Sequence, residues 1–149
     1  MAKLNLVVGS MLGAAEYVAD HVANLLEQAG HQTRIHNPAK LAEVLDDAGS
    51  ILLAVTSTHG AGDVPDNLQP FAKDLAEQHP DLNSLKYGVI ALGDSSYDTF
   101  CQGGKTLDRL LADCGASRIG ERLDIDVTQH EIPEDAAEVW IRDWMTMIA

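Results

Sequence analysis

Cysteine is scarce in this chain: Cys101 and Cys114 are the only two among 149 residues. They form no Cys-x-x-Cys pair and have no histidine at a zinc-ligand spacing, which excludes a disulfide framework and a zinc module. Two reduced, partly buried thiols are expected instead. No apolar run approaches the ~20 residues that a bilayer span needs, and no basic N-terminal stretch leads into an apolar core with a small-residue cleavage site. The expected location is the cytoplasm. Basic residues are also few, ten against 23 acidic ones, for a formal net charge of -13. Such a charge repels nucleic acid and anionic membrane and favours a partner with a basic docking face. Internal repeats, low-complexity tracts and dividing linkers are absent, so one domain over 1–149 is expected, with 46% hydrophobic residues to fill its core.

The apolar residues that are present fall into two periods. Leu4 to Val8, Ile51 to Val55 and Val89 to Leu92 are near-continuous runs of strand length, as in a parallel sheet covered on both faces. Gln32 to His36 and Ile119 to Val127 are weaker strand candidates. Ala15, Val18, Val22, Leu25, Leu26 and Ala29 recur at helical spacing and stop at Gly30. Leu68, Phe71 and Leu75 mark a second helix ending before Pro80, with Pro65 and Asp66 at its start. Leu107, Leu110, Leu111 and Cys114 mark a third, ending at Gly115. Pro133 opens a last helix whose Ala137, Trp140, Ile141, Trp144 and Ile148 form one stripe, which makes both tryptophans core anchors. Glu131, Glu134, Asp135 and Glu138 gather at its start, where the helix dipole favours acids. Pro80 to Leu85 reads as a loop. Strand and helix alternate five times, the pattern of an α/β doubly wound sheet, whose ligands sit outside the carboxyl ends of the strands.

Three loops fall at those ends. Ser10-Met11-Leu12-Gly13-Ala14-Ala15 lies between the first strand and the first helix, where backbone N–H groups and the helix dipole converge on a point suited to an anion, and Ser10 adds a hydroxyl. It lacks the Gly-x-x-x-x-Gly-Lys-Ser/Thr and Gly-x-Gly-x-x-Gly patterns, so a monophosphate fits better than a nucleoside triphosphate or a dinucleotide. In Ser57-Thr58-His59-Gly60-Ala61-Gly62-Asp63, Gly60 and Gly62 permit close backbone approach and His59 stands at the tip. Gly93-Asp94-Ser95-Ser96-Tyr97 offers an aromatic ring in a polar loop of a chain that is only 5% aromatic. A phosphate loop with two ring-bearing loops describes a flavin mononucleotide (FMN) site, hence an electron carrier.

Leu92-Gly93-Asp94-Ser95-Ser96-Tyr97-Asp98-Thr99-Phe100-Cys101 resembles the third flavin loop of short-chain flavodoxins. Ser57-Thr58-His59-Gly60-Ala61-Gly62-Asp63-Val64-Pro65-Asp66-Asn67 is similar to the second loop of flavodoxins and of the flavin domains of cytochrome reductases. Asp63-Val64-Pro65-Asp66-Asn67 with His130-Glu131-Ile132-Pro133-Glu134-Asp135 looks most like the MioC group of small flavodoxins. The resemblance spans essentially the whole chain. It implies a flavodoxin-like doubly wound sheet of five parallel strands in the order 2-1-3-4-5, with helices on both faces. It further implies that Ser10, Met11, Leu12, Gly13, Ala14 and Ala15 hold the phosphate. His59, carried on Ser57, Thr58, Gly60 and Gly62, takes the inner stacking position, and Tyr97 covers the opposite face. The same resemblance implies that the Gly60 carbonyl turns to accept the N5 hydrogen of the one-electron-reduced flavin. The backbone from Gly93 and Asp94 to Phe100 and Cys101 reads the pyrimidine edge. Two departures bear on affinity: Leu12 and Ala15 stand where family loops usually carry threonine, and His59 stands where a Trp or Tyr is common.

The expected function is FMN-dependent shuttling of single electrons between a flavodoxin reductase and an acceptor enzyme, without substrate turnover by the chain itself. The MioC resemblance implies support of biotin synthase. Asp63, Asp94, Asp98, Asp124 and Asp126 near the flavin would disfavour its anionic reduced form. A NAD(P)H-dependent flavin oxidoreductase is one rival, although the chain leaves little room for a second nucleotide pocket. A phospho-receiver domain would need carboxylates where Gly9-Ser10 and Ser57-Thr58 stand. The third rival is a flavin-free interaction module on the same fold, suggested by the hydroxyls missing from the phosphate loop.

Overall fold

The computed structural model describes residues 2–10, 13–46, 49–58, 63–96, 98–129 and 132–148. The first apolar run becomes strand β1 (Lys3–Gly9). Along the chain follow α1 (Ala14–Gln28), β2 (Gln32–His36), α2 (Leu41–Leu45), β3 (Ile51–Thr56), a 3-10 turn (Asp66–Leu68) and α3 (Gln69–Gln78). The chain then continues through β4 (Lys86–Gly93), α4 (Gln102–Asp113), β5 (Ser117–Arg118), β6 (Leu123–Asp126) and α5 (Pro133–Ile148). Every strand pair is parallel and the order is β2-β1-β3-β4-β5, with β6 also beside β4. That is the order the resemblance implies.

Strand side chains alternate between the two faces, so each face has its own core. Leu4, Leu6, Val8, Leu53, Val55, Ile90 and Leu92 pack on one side against α1 and α5. On the other, Val7, Leu52, Ala54 and Val89 pack against Phe71 and Leu75 of α3 and Leu107 and Leu111 of α4. At ~1.5–3 kcal/mol for each large apolar side chain buried, these two layers dominate the folding free energy. The α1 stripe ends where the sequence places it: Gly30 takes φ +95°, and the His31 N–H returns to the Leu26 carbonyl at 3.0 Å. Trp144 is fully buried against Gly88, where a Cβ would come within 2.8 Å of the indole, and it stacks on half-buried Trp140 at 5.4 Å. Both are therefore structural. The two thiols are free and buried. No helix among the described residues is long and apolar enough to cross a membrane.

Two elements differ from the sequence reading. In place of one fifth strand over Ile119 to Val127 there are two short ones: β5 (Ser117–Arg118) ends before that range and pairs with Lys86 and Tyr87, and β6 (Leu123–Asp126) lies within it and pairs with Ile90 to Gly93. Between them the carbonyls of Ile119 and Glu121 accept the indole N–H groups of Trp144 (3.0 Å) and Trp140 (3.1 Å). Gly120 turns through φ +68° there. Side chains of α5 thus hold carbonyls that a continuous ladder would use. The second difference is α2, which the sequence reading did not assign; in five residues it buries only Leu41 and Val44.

Asp108 of α4 anchors the edge beside this break. Its carboxylate accepts from the Tyr87 hydroxyl at 2.6 Å, from Arg118 Nη1 at 2.6 Å and from Arg122 Nη1 at 2.7 Å. Burial, followed by the bond to Asp108, pushes ionisation of the Tyr87 phenol well above the usual tyrosine range.

Candidate functional site

The carboxyl ends of β1, β3, β4 and β6 come together at one end of the sheet. In the first loop the Gly13 N–H donates to Ser10 Oγ at 2.8 Å, and Gly13 opens α1 at φ +89°, a conformation that suits glycine. The first intrahelical bond runs from the Tyr17 N–H to the Gly13 carbonyl at 3.1 Å. Helix geometry therefore leaves the amides of Ala14, Ala15 and Glu16 without intrahelical partners, in a position to receive an anion. The Ala15 methyl is fully buried in the core, so its N–H is what this residue can offer a ligand. Met11 and Leu12 lie outside the described residues.

The second loop leaves β3 at Ser57, whose N–H donates to the Gly9 carbonyl at 2.8 Å and so ties it to the end of β1. Thr58 then links it to the third loop and to α4. Its hydroxyl accepts from the Gly103 N–H at 3.1 Å and donates to the Leu92 carbonyl at 3.4 Å. The approach of α4 needs glycine: a Cβ on Gly103 would stand 2.6 Å from the Ser57 carbonyl oxygen, and one on Gly104 2.3 Å from the Ala91 Cβ. His59, Gly60 and Gly62 lie outside the described residues.

In the third loop Asp94 Oδ1 accepts from the Ser96 N–H at 2.9 Å and from the Ser96 hydroxyl. A Cβ on Gly93 would lie 2.5 Å from the Cys101 nitrogen, so the loop folds back tightly on its own start. Cys101 adopts φ +55° and is fully buried. Burial pushes its thiol up to about 12, so it is packing rather than a nucleophile. Half-buried Phe100 lies under the Lys105 ammonium, 5.9 Å from the ring centre. Tyr97 lies outside the described residues.

Ala14, Ser57, Thr58, Leu92, Gly93, Asp94 and Val127 line a cleft of about 200 Å³, with walls drawn from all three loops. A larger open groove of about 640 Å³ runs along α3 from Asp66 to Glu77 and is lined by none of the strand-end residues that line the cleft. The cleft therefore combines an apolar wall (Ala14, Leu92, Val127) with the first turn of α1. Those features fit a planar ring bearing a phosphate, and Gly93 contributes only backbone to the cleft wall.

The rim is acidic, but its carboxylates are not alike. Asp126 Oδ1 accepts from the Ser95 N–H, the Thr128 N–H and the Thr128 hydroxyl; the side chains of Ser95 and Thr128, followed by these two backbone N–H groups, hold its carboxyl down to about 2. Asp124 is paired with the Arg122 guanidinium at 2.8 Å, which offsets its charge. Of these aspartates Asp94 lines the cleft itself, and Asp126 adjoins its lining residue Val127. Among the described residues no group of three or more His, Cys, Asp or Glu side chains is placed to hold a metal.

Sequence reasoning missed several contributors. Gly103 and Gly104 had a visible signal, a glycine pair opening a helix. Val127 had its place at the end of a strand. Asn67 stands in the second-loop stretch that carries the resemblance, but nothing there points to its bond with the Ser10 N–H, and Asn37, which backs Asn67, had no signal.

Comparison with known proteins agrees with the geometry. The family model described as Flavodoxin matches residues 6–140. Protein MioC of Escherichia coli strain K12 is 48% identical over 149 residues, covering 99% of each chain. Flavodoxin YqcA of Pectobacterium carotovorum subsp. carotovorum is 40% identical over 148 residues, 99% of this chain and 98% of that one. A cysteine-to-alanine mutant of a flavodoxin from Pseudomonas aeruginosa superposes with a TM-score of 0.90 at 38% identity, covering 99% of both chains.

Proposed function

The chain belongs to the flavodoxin family, proteins that hold a flavin and carry electrons to and from redox partners, and on that premise we propose that it binds one FMN and shuttles single electrons. The observation that carries the cofactor reading is the cleft itself, where an apolar wall meets the first turn of α1. In this reading residues 1–149 form one flavin domain. The Ser10 hydroxyl and the amides of Ala14, Ala15 and Glu16, with Met11, Leu12 and Gly13 completing the loop, hold the phosphate. His59 and Tyr97 take the two ring faces, with Gly60 and Gly62 letting the second loop come close. The backbone of Gly93, Asp94, Phe100 and Cys101 reads the ring edge, and Ser57 and Thr58 fix the second loop to the sheet.

Bound there, the flavin supplies the one-electron chemistry. The protein's part is to bind, orient and bias. Leu92 and Val127 keep water from one side of the cleft. Asp94 and Asp126 keep negative charge at the rim, which opposes the build-up of further negative charge inside. The formal net charge of -13 favours partners with basic docking faces, and on this reading a flavodoxin reductase is the donor. The MioC likeness supports a narrower reading: the acceptor enzyme is biotin synthase and the carrier works in the cytoplasm.

The test is anaerobic stopped-flow mixing of the FMN-loaded protein with NADPH. Alone, NADPH leaves the flavin oxidised; a catalytic amount of NADPH-dependent flavodoxin reductase reduces it at a rate that falls as salt rises. Rapid reduction by NADPH alone would overturn the carrier reading in favour of a flavin oxidoreductase.

A further inference from the structure

Gly9 ends β1 with no side chain, and a Cβ there would stand 2.4 Å from Thr56 Oγ1 and 2.9 Å from Leu68 Cδ2. Leu68 is fully buried against this point, and the 3-10 turn that carries it is pulled onto the end of β1. The turn is closed by the Leu68 N–H on the Pro65 carbonyl at 2.9 Å and braced by Gln69 Nε2 on the Val64 carbonyl at 3.1 Å. Its middle residue, Asn67, then faces the first loop.

Both donors of that carboxamide and its oxygen are engaged. Oδ1 accepts from the Ser10 N–H at 2.9 Å, while Nδ2 donates to the Val8 carbonyl at 3.2 Å and to Asn37 Oδ1 at 3.0 Å. Asn37 in turn donates to Glu16 Oε1 at 3.1 Å, so the same chain of bonds restrains the one acid in the first turn of α1. The Ser10 N–H is thus directed into the protein. Its hydroxyl oxygen accepts from the Gly13 N–H, which leaves the hydroxyl hydrogen to donate elsewhere.

We propose that Asn67 is the positioning residue of the phosphate subsite: by holding Ser10 from behind it sets which donors of the first loop face the ligand, and so sets the share of flavin affinity that comes from the phosphate. This rests on the reading of the cleft as an FMN site. Asn67→Asp keeps the shape, turns two donating positions into acceptors facing the Val8 carbonyl and Asn37 Oδ1, and adds a negative charge beside the subsite. Asn67→Ala removes all three bonds.

The experiment compares dissociation constants for FMN and riboflavin in the wild type and both variants. The wild type should prefer FMN. In each variant FMN should weaken by about tenfold or more, with riboflavin changed by less than about twofold, as expected when donors to a charged group are misplaced. Parallel weakening of both flavins, or no change in either, overturns the role of Asn67. A wild type with no preference between the two flavins would instead overturn the phosphate reading on which the proposal stands. Should the variants not fold, hydrogen exchange of the Ser10 amide in flavin-free wild-type protein decides. Protection supports the bond to Asn67, and exchange at the rate of an open loop refutes it.

Discussion

Replacing Gly103 by alanine adds one methyl group where α4 meets the second loop. The new Cβ would stand 2.6 Å from the Ser57 carbonyl oxygen and 3.3 Å from the Thr58 Cα and Oγ1. An ordinary contact of 3.4 Å requires the loop or the helix to move by about 0.8 Å. Overpacking of this kind costs ~1–3 kcal/mol, whereas alanine in a helix regains up to ~1 kcal/mol over glycine. The difference runs from about zero to ~3 kcal/mol with a central value of ~1 kcal/mol, which for a chain this long lowers Tm by about 2–4 °C. The same shift stretches the 3.1 Å bond from the Gly103 N–H to Thr58 and moves Ser57 and Thr58 in the cleft wall, so FMN affinity should fall as well. Gly104→Ala is the contrast: its Cβ would meet Ala91 of β4 at 2.3 Å, directing the strain into the sheet. It should lower stability by more and affinity by less. Circular-dichroism melts and fluorescence titration with FMN read both quantities. A Gly103→Ala protein with an unchanged or higher Tm and unchanged affinity would refute the close approach of α4 to the second loop.

Four further outcomes are expected. Tyr97→Ala should lose about 1 kcal/mol or more of FMN binding and Tyr97→Phe much less, on the scale of aromatic stacking, and an alanine variant that titrates like the parent removes Tyr97 from the site. Both buried thiols should resist Ellman's reagent at pH 8 until denaturant is added. Because the Cys101 thiol is raised from 9.0 to about 12 on folding, stability should decline as pH climbs through that interval, with raised Tyr87 adding in the same direction, as read by urea midpoints. Asp108→Asn leaves Arg118 and Arg122 without their shared carboxylate; with Arg118 37% exposed the loss is discounted to about 2 kcal/mol, measured by urea unfolding.

The sheet was legible because burial on both faces writes β1, β3 and β4 as unbroken apolar runs, and α1 because its stripe and Gly30 agree. The break in the fifth strand was not, since its cause is a pair of indole N–H groups some twenty residues further on. Helix α2 is too short for any period to show. The three loops were readable by residue type and by place, at strand ends that open sheets reserve for ligands. What supports them was not. The bonds of Asn67 span 57 and 59 residues, and the need for Gly103 arises only once α4 is laid against Ser57. Position relative to the chain carries chemistry, whereas position relative to the fold carries support.

The most direct test is a spectrophotometric titration of the flavin-free protein with FMN, repeated with riboflavin. Saturation at one FMN per chain with quenched flavin fluorescence is expected, with riboflavin binding about tenfold or more weaker and only a mild dependence on salt, since backbone amides rather than basic side chains meet the phosphate. Absence of a saturable spectral change, or equal affinity for the two flavins, would contradict it.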